Sequence, residues 1–130
     1  MIDGPDAGLS LDRIDEWERG FAERAAQAKA LAERTAQLSA TARGGDELIE
    51  VTVGPNGQIT DLRLDEEIRR QAAATTARQI LSTVRAAQRA LLQQVEGVAA
   101  ETVGADSTTG KAVLSSLSAR LSVDDEEPMP

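Results

Sequence analysis

Leu48-Ile49-Glu50-Val51-Thr52-Val53-Gly54-Pro55-Asn56-Gly57-Gln58-Ile59-Thr60-Asp61-Leu62-Arg63-Leu64 is the stretch that decides the fold. Ile49, Val51 and Val53 alternate with Glu50 and Thr52, so one strand face is apolar and the other polar. Leu62 and Leu64 alternate with Asp61 and Arg63 in the same way. Between the two runs, Gly54-Pro55-Asn56-Gly57 joins the fixed φ of proline to two glycines that accept positive φ. The stretch predicts a β-hairpin. A lone hairpin is marginal in water, so it calls for a third strand or for the same sheet continued in a second subunit. Leu38-Ser39-Ala40-Thr41-Ala42-Arg43 supplies a candidate strand, folding back across Gly44-Gly45.

Helical periodicity lies on both sides. Upstream, Ile14, Trp17, Phe21, Ala28, Leu31, Thr35 and Leu38 recur at spacings of three, four or seven. Ser10 or Asp12 is a candidate cap, and Asp12, Asp15, Glu16 and Glu18 suit the positive end of the helix dipole. A helix from about Leu11 to Ala36 follows, behind a flexible leader over residues 1–9. Its alanine-rich stripe needs a partner, and two remain open: another helix of the same chain, or a second chain. Downstream, Ile80, Leu81, Val84, Ala87, Leu91 and Val95 mark a helix over 72–96, ended by Gly97 and Gly104. A C-terminal extension over 97–122 contains a shorter amphipathic helix, Thr108 to Leu121, with Val113, Leu114, Leu117 and Leu121 on one side. Residues 123–130, with Asp124-Asp125-Glu126-Glu127 ahead of Pro128 and Pro130, read as a disordered acidic tail. The expected class is therefore α+β: long helix, small antiparallel sheet with a hairpin, long second helix, short third helix.

Composition narrows the chemistry. The 130 residues suit one domain, and aromatics are only 2%, Trp17 and Phe21. No cysteine is present, which removes disulfides, zinc fingers and iron–sulfur clusters. No histidine is present, which removes the Ser-His-Asp and Cys-His machines. No apolar run reaches the ~20 residues of a membrane span, and the N-terminus lacks the basic start and apolar core of a secretory signal. The expectation is a cytoplasmic protein without cofactor, metal or small-molecule substrate. Asp61 and Asp65 could serve as an acid–base pair, but without a pocket they read as solvated strand-end residues. Gly54 to Gly57 lacks the lysine and following helix of a phosphate-binding loop.

Charge is unevenly spread. The net charge of −8 opposes indiscriminate adsorption to nucleic acid or anionic lipid. Yet no acid occurs between Ile68 and Val95, a span that carries Arg69, Arg70, Arg78, Arg85 and Arg89. On a helix Arg78, Arg85 and Arg89 fall within about 40° of arc along about 16 Å. Such a stripe suits a phosphate backbone. The competing reading pairs it with acids of the first helix: Asp12, Asp15, Glu16, Glu23 or Glu33. No aromatic lies near these arginines, so base stacking is not supported.

The hairpin with its Ile59-Thr60-Asp61-Leu62-Arg63-Leu64-Asp65 return, followed by a helix containing Ala86-Ala87-Gln88-Arg89-Ala90, resembles the YbaB/EbfC family of bacterial nucleoid-associated proteins. The resemblance covers roughly residues 10–96 and is strongest to the actinobacterial branch. It implies a homodimer joined through sheet and helices, sequence-tolerant DNA binding in the nucleoid, and no catalytic residues. The family's DNA contacts follow no fixed motif, so no residue inherits a contact role. The charge pattern makes Arg78, Arg85, Arg89, Arg69 and Arg70 the candidate DNA contacts, and the apolar stripes make Ile14, Trp17, Phe21, Leu31, Ile49, Val51 and Val53 the candidate dimer interface. The same branch holds EspL-like proteins tied to type VII secretion, so the alternative is a non-enzymatic module for a protein partner.

Overall fold

Ile49, Val51 and Val53 are fully buried, and the structure is arranged around them. The computed structural model describes residues 5–104 and 107–125. Helix α1 (Pro5–Thr35) leads into strands β1 (Ala40–Gly44), β2 (Ile49–Val53) and β3 (Ile59–Leu64). A 3-10 turn, Glu66–Arg70, precedes helices α2 (Ala73–Thr102) and α3 (Thr108–Asp125). The sheet is antiparallel in the order β1-β2-β3, so the predicted hairpin and third strand are both present. Ala42 pairs with Val51 across β1–β2, and Leu62 with Val51 across β2–β3. The turn closes as its residues predict: Gly57 N donates to the Gly54 carbonyl at 2.9 Å, with Gly57 at φ +81°.

α2 lies across β1 and β2. Its Ala87 and Leu91 join Ala40, Ile49, Val51 and Val53 in the main core. The approach is close because β1 ends in glycine: a Cβ on Gly44 would stand 2.1 Å from Thr83 Oγ1. Thr83 itself turns its hydroxyl back, donating to the Gln79 carbonyl at 2.7 Å. β3 receives no such cover. Leu62 and Leu64 share the apolar face with Val51 and Ile49, since cross-strand partners point the same way. They are nevertheless 42% and 46% exposed, and Ile59 is 49% exposed.

Two smaller cores hold the helices. Leu31 packs with Val98 and Ala99, joining the end of α1 to α2. Leu117 and Leu121 pack with Val95, laying α3 on α2, with Val113 and Leu114 at the margin as the amphipathic pattern predicts. Asp65 caps the 3-10 turn, its Oδ1 accepting from Glu67 N at 2.9 Å.

Several boundaries differ from the sequence expectation. α1 begins at Pro5, within the expected leader, because proline fits a helix's first turn. Residues 1–4 lie outside the described residues. α2 passes through Gly97 and ends at Thr102, stopped by Gly104 just beyond, with its φ of +89° and its N–H bond to the Ala99 carbonyl. Packing of Val98 and Ala99 on Leu31 outweighs the ~1 kcal/mol a mid-helix glycine costs. α3 runs to Asp125, so Asp124 and Asp125 are helical rather than part of a disordered tail. No proline or glycine intervenes between Lys111 and Glu127 to stop it. Residues 126–130 lie outside the described residues.

Two glycines give opposite expectations. Gly44→Ala should destabilise by about 1–3 kcal/mol through the clash with Thr83. Gly97 is exposed with open space where its Cβ would go, so Gly97→Ala should stabilise by about 0.5–1 kcal/mol. Thermal unfolding followed by circular dichroism checks both: the first variant melts lower, the second higher.

Candidate nucleic-acid interface

An unbroken helix from Ala73 to Thr102 carries Arg78, Arg85 and Arg89 on one side, away from the residues that face the sheet. The helix is long because alanine, leucine, glutamine and arginine dominate it. Arg78 and Arg89 are exposed and Arg85 is half-buried. Arg78 makes no ion pair among the described residues. Arg85 and Arg89 are each engaged within the chain. The other two sequence candidates sit apart from this stripe, on the 3-10 turn. Arg69 pairs with Glu66 at 3.4 Å, an exposed i,i+3 contact, and Arg70 is exposed.

Arg78 opens onto a groove of about 530 Å³ between α2 and the β1–β2 turn. Thr75, Ser82 and Thr83 contribute hydroxyl-bearing walls. The floor is the Gly44-Gly45 backbone, held near α2 by the same close approach that seats the helix on the sheet. Gly45, Asp46 and Glu47 all have positive φ, from +57° to +68°, which lifts the turn into a left-handed coil at the groove's rim. Leu48 N closes it by donating to the Gly45 carbonyl at 3.1 Å. The Arg78 guanidinium and these hydroxyls can donate to an anion's oxygens, with Asp46 also lining the groove.

Arg43 was missing from the sequence candidates. The β1 register sets it opposite Glu50, on the sheet face that α2 does not cover. There Arg43 Nε donates to Glu50 Oε1 at 3.0 Å, while Arg63 Nε donates to Asp61 Oδ2 at 2.9 Å. Thr41 and Thr52 share a 2.8 Å hydroxyl contact on the same polar sheet face. Asp61 and Asp65 are thus separately occupied, one by Arg63 and one as a helix cap, and form no acid–base pair. Among the described residues no cluster of acids suits a metal ion, and no helix is long and apolar enough to cross a membrane.

The expected interface residues divide in two. Leu31, Ile49, Val51 and Val53 are enclosed in the chain's own cores, because α2 and the end of α1 already cover them. Ile14, Trp17 and Phe21 are 51–65% exposed on the first half of α1, joined there by Leu11. Trp17 and Phe21 stack, with ring centroids 5.6 Å apart.

A model of the YbaB/EbfC DNA-binding family matches residues 17–105, a span that includes the whole sheet, α2 and the groove. No curated protein and no solved structure matches the chain significantly.

Arg43 and Arg78 are both expendable for folding. The Arg43–Glu50 pair is exposed on the arginine side, so Arg43→Gln should change stability by less than about 1 kcal/mol. Arg78→Gln keeps a good helix former and should change it no more. Melting temperatures within a few degrees of wild type are the expected outcome; a large drop for either would make it a structural residue.

Proposed function

The chain belongs to the YbaB/EbfC DNA-binding family, and on that premise we propose that it is a sequence-tolerant, nucleoid-associated protein that grips the phosphate backbone as a homodimer. The family is bacterial and non-enzymatic, and the nucleoid sets its place of work in the cytoplasm. The observation that carries the reading is the acid-free arginine face of α2, on which Arg78 stands exposed at the groove. Arg85 and Arg89 continue that face by about 16 Å, roughly five base pairs at ~3.4 Å per pair. Phosphate contacts of this kind hold DNA without reading its sequence. Arg69 and Arg70, at the start of the same acid-free span, extend the positive field towards the 3-10 turn.

Homodimerisation has its own support. Ile59, Leu62 and Leu64 continue the sheet's apolar face beyond the reach of α2. A contiguous apolar edge beside a finished core is a surface that wants cover. A second copy supplies it symmetrically, the commonest remedy among soluble proteins. Ile14, Trp17 and Phe21 remain candidates for the same association. Light scattering at micromolar concentration should report twice 13.8 kDa. A clean monomer would remove the dimer from the proposal.

A protein-partner role is the second reading, favoured by the exposed Leu11, Ile14, Trp17 and Phe21 stripe, which has no use for phosphate. One variant separates the two. Arg78→Gln, Arg85→Gln, Arg89→Gln should weaken binding to unrelated duplexes alike. It should also flatten the slope of log affinity against log salt by up to about 0.9 for each phosphate left without its arginine. An unchanged slope with unchanged affinity would transfer the function to protein partners.

A further inference from the structure

A second opening lies between the end of α1, the β2–β3 turn and α3, a helix outside the family-matched residues 17–105. Its volume of about 370 Å³ falls within the ~300–1,000 Å³ of small-molecule sites. Val95, Val113 and Leu117 form its inner wall, with Val95 and Leu117 buried. On the α1 side stand Ala32 and Ala36. Ala36 N donates to the Ala32 carbonyl at 3.0 Å, so the two lie one helical turn apart on one face. Both are exposed. The opening exists because these side chains stop at a methyl: α3 meets α2 through valine and leucine, while the facing turn of α1 is too short-chained to fill the corner between them.

Arg120 is the one charged residue of the lining. Val113, Leu117 and Arg120 follow at intervals of four and three, so they share a side of α3. Arg120 Nη1 donates to Asn56 Oδ1 and Nη2 to Ser116 Oγ, both at 3.3 Å. Arg120 makes no ion pair among the described residues. No acid lines the opening, in a chain that has 22 of them. An exposed guanidinium is thus held at an apolar corner by two long bonds to neutral oxygens. A carboxylate takes two parallel N–H bonds from a guanidinium, each about twice as strong as one to a neutral oxygen, so it displaces Asn56. A phosphate dianion is ill matched, carrying more charge than one arginine neutralises against a wall that gives it no donors.

We infer that this opening binds a small monocarboxylate with an apolar body, its carboxylate on Arg120 and its body against Val95, Val113 and Leu117. No histidine, cysteine, lysine or acid lines the site, so the molecule is held rather than converted. It joins α1, α2, α3 and the hairpin turn at one point, and occupancy therefore stabilises the fold. The site stands apart from the phosphate reading of α2 and does not depend on it.

Octanoate is the probe, with 1-octanol as the body without the charge and acetate as the charge without the body. NMR follows the methyl signals of Val95, Val113 and Leu117 and the Arg120 Nε–H, and thermal unfolding runs in parallel. Octanoate should move these signals with a Kd on the order of 0.1–1 mM. At about ten times that concentration it should raise the melting temperature by a few degrees. Octanol and acetate should each bind at least about tenfold more weakly. Arg120→Gln should lower octanoate affinity about tenfold and leave octanol binding unchanged. Ala36→Leu fills the corner without touching the arginine, so it should abolish binding without lowering the melting temperature of the free chain. Equal affinities for octanoate and octanol, or unchanged octanoate affinity in either variant, overturn the inference. Signals that move on dilution but not with octanoate would assign the corner to a second copy of the chain, and overturn it as well.

Discussion

The closeness of α2 to strand β1 governs the rest of this chain. Gly44 and Thr83 meet where a side chain on the strand would collide, and the threonine satisfies its own hydroxyl within the helix. The helix can therefore settle over β1 and β2, burying Ile49, Val51 and Val53 beneath Ala87 and Leu91. Placement over two strands leaves the third bare, so the exposed edge of β3 follows from the same contact. So does the groove, since its floor is the glycine backbone and Arg78 stands on its helix side. One small residue thus sets the core, the open sheet edge and the anion-accepting surface.

The sheet was legible because its information is local. Alternation in Ile49–Val53 and Asp61–Leu64, with the Gly54–Gly57 turn between, specifies both faces without help from the rest of the chain, though not the shift in pairing between Thr52 and Val53. β1 was weaker in sequence, since of Ala40, Thr41 and Ala42 only the threonine favours a strand. Its pairing is decided by β2. Helix ends were the poorest reading. Gly97 carries a real local penalty, but contacts between Val98, Ala99 and Leu31, remote in sequence, override it. The arginine stripe was visible from spacing alone. The groove beside Arg78 was not, because no local pattern announces that the Gly44-Gly45 turn and a helix far along the chain will meet. The expected interface residues show the same limit: an apolar face is readable, but whether the chain covers it itself is not.

Alanine gives α1 and α2 their character. With so few aromatics, the helices pack closely through small side chains, and only Leu31 and Leu91 among the larger ones become fully enclosed on them. Thin packing leaves helix surface free for charge. α2 turns one side to the sheet and α3, and keeps the other for arginines. α1 divides along its length instead: its end is bound to α2 through Leu31 and the Arg34–Glu101 pair, while its first half carries apolar residues outward.

That outward half holds the chain's only tryptophan, in a protein without tyrosine. Intrinsic fluorescence therefore comes from a single point, Trp17, stacked on Phe21 and 65% exposed. Its emission in the free chain belongs to a water-facing indole, and melting of the sheet would change it little. Covering the tip of α1 would shift the emission towards the blue. The molecule thus carries a native optical probe that is nearly silent about its own core and sensitive to whatever closes over its longest helix.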